Sequence, residues 1–397
     1  MIRHLFTLIW NRKKSNFLMI TEIFFSFIVL FSVLSLAFYY LDNYQQPLGF
    51  NYEKVWVMNM RWNQEKPEEI KAIQRHLKQQ LNANSEVESI TLSSSNTPYT
   101  ANTMGTGFDY NNHTVQTDIF DTDRDFARVM QLKLTEGRWF NDQDLNSKYT
   151  TIVIDQAMRN EVFKDESVIG KVIPDKSGQN PGTKIVGVIE AFRQNGEYSA
   201  ISPGYFKYQD VEMDSIHMKE SLTSMLIRVK PGVTSGFEEK LMKQASQIAQ
   251  GWTLEIKTMP EMRTSYNKIA LIPLIIFSIV CGFLILNVAL GLFGVLWYNI
   301  NRRISEIGLR RAIGAASGQV YRQFIGEVLV LATFGLVIGI IVALQFPLLQ
   351  VFRVQTGVYM AAMLSAVVII YLLAAGCAAY PSRQAAVIQP ANALHEE

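Results

Sequence analysis

Cysteine is scarce in this sequence of 397 residues, which contains only Cys281 and Cys377. Both lie in long apolar runs, so the polar part of the chain has no cysteine with which to form a disulfide. The stability of that part must therefore come from packing alone. Cysteine usage does not indicate the compartment either, which has to be inferred from the distribution of charge.

Motifs for catalysis and for metal binding are also missing. The sequence has no G-x-x-x-x-G-K-[ST] phosphate-binding loop and no G-x-S-x-G nucleophile elbow, and its five histidines follow no metal-ligand spacing. Asp121, Asp123 and Asp125 alternate as in a calcium loop, but the glycine and the final glutamate of such a loop are absent, which favours a solvated acidic loop. We therefore expect no catalytic, cofactor-binding or metal-binding residues in this chain, and no nucleic acid among its partners.

Charge is almost absent from four long runs. A bilayer core requires about 20 apolar helical residues, and core helices of soluble proteins are rarely so long or so uncharged. The sequence therefore predicts four transmembrane helices, at 17–41, 269–300, 324–350 and 358–380. The first run far exceeds the apolar region of a signal peptide, about 7–15 residues, and no small-residue cleavage site follows it.

Lysine and arginine are distributed unevenly around these runs. The segment 1–16 carries four basic residues and no acid, and the loop 301–323 carries five arginines against a single acid, Glu306. Short basic loops next to membrane spans stay in the cytoplasm. We therefore expect both of these segments and the tail 381–397 in the cytoplasm, with the short link 351–357 outside.

The segment 42–268, between the first and second spans, has a different composition. It carries 30 acidic and 26 basic residues, whereas the rest of the chain carries 5 and 11. It is long enough for one or two compact domains. Since long domains cross the membrane largely regardless of charge, its mixed charge is compatible with a location outside the cytoplasm.

Both helical and strand-like patterns occur in this segment. Apolar and β-branched runs predict strands at 55–60, 87–92, 152–154, 184–189 and 225–229. Apolar stripes predict helices at 67–82 and 237–250. The polar stretch 93–117 predicts a long loop. The fold class that follows is a membrane protein of four helices with a large α+β domain, in two lobes, inserted between helices one and two.

Two features inside the spans have alternative interpretations. Glu22 and Glu327 are intramembrane acids, which are costly and often functional. Both lie close enough to the cytoplasmic interface to reach water or arginines of the basic loop, so we expect structural anchoring rather than a proton pathway. Gly335 and Gly339 form a G-x-x-x-G pattern suited to close helix packing, either within one chain or between two chains.

The basic loop contains the stretch Glu306–Ala315, EIGLRRAIGA. It resembles the cytoplasmic E-I-G-x-R-[RK]-A-x-G-A signature of FtsX-like, MacB-type (type VII) ABC transporter permeases, which lies between the second and third spans. The stretches Glu136–Phe140, Val168–Lys171 and Val186–Ile189 resemble parts of the family's extracytoplasmic domain. The end of the chain, Pro381–Leu394, resembles its P-x-x-x-A-A-x-x-x-P-x-x-A-L close. The resemblance covers nearly the whole length.

The resemblance implies a MacB-like periplasmic domain at 42–268 and an FtsX-like permease domain at 269–397, in a bacterial inner membrane. It also implies a separate ABC ATPase that binds ATP and magnesium, a second permease in a homodimer or heterodimer, and an extracytoplasmic cargo or adaptor protein. In such a permease, ATP use by the partner changes the shape of the external domain (mechanotransmission), for efflux or extraction of a peptide, a lipid-like molecule or a lipoprotein. The alternative is a non-transporting regulator that relays the ATPase cycle to an external hydrolase or acts as a sensor; divisome members of this kind have a much smaller external domain.

Residue spacing alone predicts a short amphipathic helix in the basic loop. Glu306 stands four residues before Arg310, the favourable orientation for an ion pair. Gly314 is expected to end the helix, and Ser317 to cap the next one. The predicted apolar face consists of Leu309, Ala312, Ile313, Ala316 and Val320.

The resemblance identifies this element as the coupling helix, which is seated in a groove of the ATPase. The residues that it assigns to coupling are Arg303, Glu306, Ile307, Gly308, Leu309, Arg310, Arg311, Ala312, Ile313 and Gly314. The alternative is an interfacial helix held on anionic lipid by its arginines.

Overall fold

The four apolar runs are helical in a computed structural model, which describes residues 13–164, 166–174, 181–211, 222–349 and 354–387. The chain divides into two compact units. One is Asn43–Ala270, and the other combines the residues before Asn43 with those from Leu271 onward. Residues 1–12, 350–353 and 388–397 lie outside the described residues. They include the end of the predicted third span and half of the family-like ending 381–394.

In chain order the helices are α1 (Lys13–Tyr44), α2 (Pro67–Asn82), α3 (Phe126–Met130), α4 (Gln156–Met158), α5 (Ser235–Ile248), α6 (Met259–Asn301), α7 (Ile304–Ala312), α8 (Ser317–Ala343), α9 (Gln345–Leu348) and α10 (Thr356–Val387). The strands are β1 (Val55–Arg61), β2 (Val87–Ser93), β3 (Gly105–Tyr110), β4 (His113–Thr122), β5 (Leu134–Gly137), β6 (Thr150–Asp155), β7 (Val172–Ile173), β8 (Thr183–Ile189), β9 (Gly204–Tyr208), β10 (Ser224–Val229) and β11 (Thr253–Thr258). The predicted fold class, four long apolar helices with an α+β domain between the first two, is confirmed.

The apolar unit is organised around α1, α8 and α10. Phe27 and Phe31 of α1 are fully buried in its core. Gly339 of α8 permits a close approach to α1, because a Cβ atom at this position would lie 2.4 Å from Cδ1 of Phe27. At Gly335 the same atom would lie 2.8 Å from Cγ2 of Ile23. The G-x-x-x-G pattern therefore serves packing within the chain.

The helix α6 is continuous over 43 residues, although it contains Pro273. Few side chains in its apolar part are covered by the rest of the chain, and Phe283 and Leu290 are examples of exposed ones. Such a surface is compatible with lipid or with another membrane helix as its neighbour.

The unit Asn43–Ala270 has a sheet of eleven strands among its described residues. Its strand order is β11-β1-β10-β2-β4-β9-β6-β8-β5, with β3 on β4 and β7 on β8. Only one residue pair, Ser93 with Thr122, joins β2 to β4. The sheet therefore narrows at this point. One hydrophobic cluster packs on one face of β1 and β10, and a second covers their opposite face and continues past the narrow point to β4 and β9.

Different side chains fill these two clusters. In the first, Leu77 of α2 and Leu241 of α5 are fully buried, and the burial of such a side chain contributes about 1.5–3 kcal/mol. The second is rich in aromatic residues, and the Phe206 ring lies 5.0 Å from both Phe120 and Phe192. All five predicted strands and both predicted helices occur, within one or two residues of their expected bounds.

The prediction of a long loop over 93–117 is wrong. Residues 105–122 form the hairpin β3–β4, whose turn contains Asn111 and Asn112 with φ angles of 47° and 63°. Asparagine tolerates this left-handed conformation, which tight hairpin turns require. The many glycine, threonine and asparagine residues concealed the alternation of this hairpin.

The prediction of a solvated acidic loop at Asp121–Asp125 is also wrong. Asp121 and Asp123 are buried. Asp123 accepts hydrogen bonds from the Leu92 amide at 2.9 Å and from Lys78 Nζ at 2.7 Å. Asp123 is therefore structural, because a buried carboxylate is retained only where partners offset its lost hydration.

Candidate functional site

The helix α7 is short because backbone features stop it at both ends. Arg303 precedes its first turn, and Ile313 is its C-terminal cap. Gly314 follows with a φ angle of +104°, a conformation that favours glycine, and therefore ends the helix as predicted. The next helix is capped by Ala316 rather than by the predicted Ser317, which is the first residue of α8.

One side of α7 is buried. Ile307 is 3% exposed and lies in a small cluster with Val320 and Phe324 of α8 and Ala385 of α10. The predicted continuous apolar face from Leu309 to Val320 is therefore wrong. The chain breaks at Gly314, so Val320 belongs to the next helix and contacts the opposite, buried side of α7.

Ionic and backbone contacts fix α7 to its neighbours. Arg303 Nη1 lies 3.0 Å from Glu327 Oε2, and these side chains are only 10% and 17% exposed. Gln323 donates to the same carboxylate at 3.2 Å, and Arg311 Nη1 donates to the Ala386 carbonyl at 2.8 Å. The removal of one partner of such a shielded ion pair costs about 3–5 kcal/mol, so Glu327 holds the start of α7 in place.

The opposite side of α7 is open and apolar. Leu309 is 52% exposed and Ile313 is 79% exposed. Beside them, Arg310 pairs with Glu306 at 2.6 Å and with Gln323 Oε1 at 3.0 Å. Exposed ion pairs contribute only about 0–1 kcal/mol to stability, but this one orders the rim of the apolar surface. We call the surface formed by Glu306, Leu309, Arg310, Ala312 and Ile313 the outer face of α7.

Glu22, the other predicted intramembrane acid, is not part of this arrangement. Its carboxylate packs on Gly291 of α6, where a Cβ atom would lie 2.6 Å from Glu22 Oε1. Gly291 was not singled out by the sequence, because a single glycine in an apolar run gives no signal of what packs on it. Among the described residues no group of three or more histidine, cysteine, aspartate or glutamate side chains is placed to hold a metal ion.

The model of the MacB-like periplasmic core domain matches residues 18–243, and that of the FtsX-like permease C-terminal domain matches residues 268–390. The chain belongs to the MacB-type, FtsX-like family of ABC transporter permeases. It is accordingly a membrane protein with a large extracytoplasmic domain. The residues that the sequence resemblance assigned to coupling, from Arg303 to Gly314, lie within the second of these matches.

Curated relatives include the macrolide export ATP-binding/permease protein MacB of Chromobacterium violaceum, which is 27% identical over 303 residues, or 72% of this chain and 45% of that protein. MacB 2 of Aeromonas hydrophila is 26% identical over 304 residues, or 72% and 44%. This chain therefore spans less than half the length of these relatives. Among solved structures, the periplasmic region of MacB from Actinobacillus actinomycetemcomitans is 14% identical, with a TM-score of 0.40 over 55% of this chain and 94% of that one.

Proposed function

We propose that this chain is the permease subunit of an ATP-driven transporter and that a separate chain supplies the ATPase. The relatives carry both activities in their names, ATP-binding and permease. The family models that match this chain are those of the periplasmic core domain and the permease domain. Its sequence contains no phosphate-binding loop of the Walker type. ATP and magnesium would accordingly bind to the partner ATPase, and two permease chains, identical or not, would face an ATPase pair in a bacterial inner membrane.

The outer face of α7 is the observation that supports this proposal most directly. Leu309 and Ile313 are large apolar side chains without cover, on the loop that the distribution of arginines assigns to the cytoplasm. Their burial against a partner would contribute about 25 cal/mol for each Å² of apolar area removed from water. The rim of Glu306 and Arg310 adds polar contacts that fix the orientation of the partner.

Movement would pass from α7 into the rest of the chain through the contacts described above. ATP binding brings the ATPases together and displaces α7. Ile307 and the Arg303–Glu327 pair transfer the displacement to α8. The continuous helix α6 transfers it toward the extracytoplasmic domain. The only thermodynamic requirement is that the nucleotide-bound ATPase binds two states of the permease with different affinities.

The cargo that we propose is a peptide, a lipid-like molecule or a lipoprotein, which the external domain moves without a polar tunnel through the spans. The four apolar helices support this mechanotransmission, since they contain few charged side chains that would line a polar path.

The substitution Ile313→Asp tests the role of the outer face. A carboxylate buried at the interface without a partner costs several kcal/mol, so we expect the ATPase to dissociate or to lose its coupling to the external domain. The measurement is co-purification of the ATPase with the permease, at matched membrane levels of the permease. The residue is 79% exposed, so insertion and folding should remain normal.

Two further variants separate an ATPase groove from a lipid surface. Ser317→Asp adds the same charge at the first residue of α8, where the helix dipole favours an acid, and should leave co-purification intact. If the outer face rests on anionic lipid, Arg310→Gln with Arg311→Gln should weaken membrane docking by about 1 kcal/mol for each arginine. If co-purification of the ATPase and ATP-dependent transport both stay normal in Ile313→Asp, the coupling role is refuted.

A further inference from the structure

A buried arginine ties the end of α1 to a loop of the extracytoplasmic domain. Arg193 is 3% exposed. Its Nη1 atom donates to the carbonyls of Asn43 at 2.7 Å and Gln46 at 3.0 Å, where α1 ends. Its Nη2 atom donates to the carbonyls of Glu197 at 2.8 Å and Ser199 at 2.6 Å. The planar guanidinium thus holds two chain segments, about 150 residues apart in sequence, in one fixed geometry.

A buried carboxylate of the same loop ties it to the beginning of α6. Glu197 is 4% exposed. Its Oε1 atom pairs with Arg263, and its Oε2 atom accepts from Asn267 Nδ2 at 3.1 Å. Arg263 and Asn267 are four residues apart, so they lie on one face of α6. Since both bind a single carboxylate, this face cannot rotate or slide without the loss of a buried charge pair.

The loop is also held by a strained residue outside it, Tyr99. Tyr99 has a φ angle of +62°, which costs free energy for a bulky side chain, and its amide donates to the Gln194 carbonyl at 3.1 Å. Its ring is covered by Gly196, where a Cβ atom would lie 3.0 Å from Tyr99 Cε1. Such strain persists only where the surrounding contacts over-determine it, which indicates a rigid core around this loop.

We infer that the loop 191–199 is a mechanical joint: it locks the two helices that connect the extracytoplasmic domain to the membrane spans, and Arg193 and Glu197 are its positioning residues. The helices α1 and α6 are the two chain crossings between the apolar unit and this domain. A domain that responds to helix movement needs both crossings fixed to its core, because otherwise the movement is lost in the connecting turns. The inference rests on the proposed function, since it names where ATP-driven movement enters the domain.

Distance measurements on the full-length chain in lipid nanodiscs test the rigidity of the joint. Spin labels are attached at Ser246 of α5 and Ser265 of α6, which are both exposed, with Cys281 and Cys377 replaced by alanine. We expect a single narrow distance in the parent protein. Glu197→Gln, which keeps the shape but loses the charge, should broaden the distribution and remove its single maximum. A second variant, Arg193→Lys, cannot make the same set of hydrogen bonds from two nitrogen atoms to four backbone carbonyls. It should broaden the distribution less.

Arg228 provides the matched control. It is 1% exposed in the same domain and donates to the backbone carbonyls of Val129 and Asn51, which are not part of the loop 191–199. Arg228→Lys should lower stability without broadening the distance distribution, so general loosening of the domain is distinguished from release of the joint. A distribution that stays narrow in Glu197→Gln overturns the inference, whether or not the ATPase partner is known.

A second arm includes the ATPase and a non-hydrolysable nucleotide. In the parent assembly, the distance between labels at Ser246 of the two permease chains should shift when the nucleotide binds. In Glu197→Gln that shift should be lost while ATP hydrolysis continues. If the parent shows no shift at all, the proposed function fails and the result of the first arm still stands. If Glu197→Gln keeps the full shift, the joint does not transmit the movement and the inference is wrong.

Discussion

Asp155 shows how a single side chain can make the extracytoplasmic domain sensitive to pH. It is 1% exposed and caps α4 by accepting from the Met158 amide at 2.7 Å. Burial raises the pKa of this carboxyl to about 7, and the amides of Met158 and Gly204 oppose the shift only in part. The ionised form is therefore penalised in the folded protein.

The raised pKa of Asp155 makes the free energy of unfolding depend on pH. In the unfolded chain Asp155 titrates near its ordinary pKa of about 3.9. The contribution of Asp155 to the free energy of unfolding is fully present below that pKa and is lost as the pH rises through about 7. Between these values we expect the free energy of unfolding to fall, by on the order of a few kcal/mol from this residue.

Unfolding of the full-length protein in detergent, measured across this pH range, tests the prediction. The variant Asp155→Asn should lose most of the decline, because asparagine does not titrate. Asp142→Asn removes an acid whose side chain is 74% exposed and should keep the decline of the parent. Equal slopes for the parent and Asp155→Asn would show that this carboxyl does not titrate in the predicted range.

At the scale of single elements, the close contact between α8 and α1 gives a testable prediction. A Cβ atom at Gly339 would lie 2.4 Å from Phe27 Cδ1, so one of the two helices must shift to accommodate it. We expect Gly339→Ala to destabilise the protein by about 1–3 kcal/mol, the usual cost of overpacking a filled core.

Gly326 of the same helix is the matched control, since a Cβ atom there would meet nothing within 4 Å. Gly326→Ala should be neutral or slightly stabilising, because alanine favours helix more than glycine does. Equilibrium unfolding in mixed detergent micelles measures the stability of both variants. Equal stability of the two variants would contradict the close approach of α8 to α1.

The elements also differ in how clearly the sequence predicts them. The helix α2 was predicted with its observed bounds, because its apolar stripe repeats at helical spacing. The hairpin β3–β4 was missed, because its glycine, threonine and asparagine residues resemble those of a loop. The short strands β5 and β7 gave no signal, since two to four residues are too few to establish a period.

At the scale of the whole molecule, the membrane topology is a further prediction. Cysteine at Asn63, in the extracytoplasmic domain, should react with a membrane-impermeant thiol reagent on cells with a permeabilised outer envelope. Cysteine at Ser317, in the basic loop, should react only after the inner membrane is opened, because arginine-rich loops stay in the cytoplasm. Labelling of Ser317 before that step, without labelling of Asn63, would reverse the predicted orientation.

The sequence by itself determined the features that depend on local composition. Uncharged runs of sufficient length specify the four spans, the arginines of 301–323 predict the orientation, and Gly314 ends α7. The patterns of apolar residues specify most of the helices and five of the eleven strands among the described residues. Each of these follows from interactions between a short segment and its solvent, water or lipid, and so can be inferred without knowledge of distant contacts.

Only the tertiary structure decided which side of α7 is free and which residues fix it. Ile307 is covered and Ile313 is not, because α8 folds back beyond Gly314 and places Val320 against one side of the helix. Likewise, Arg193 and Glu197 sit in an unremarkable polar stretch of the sequence, yet they bind the end of α1 and the beginning of α6. Contacts between residues so far apart along the chain depend on the complete fold, because no local pattern encodes which segments will meet.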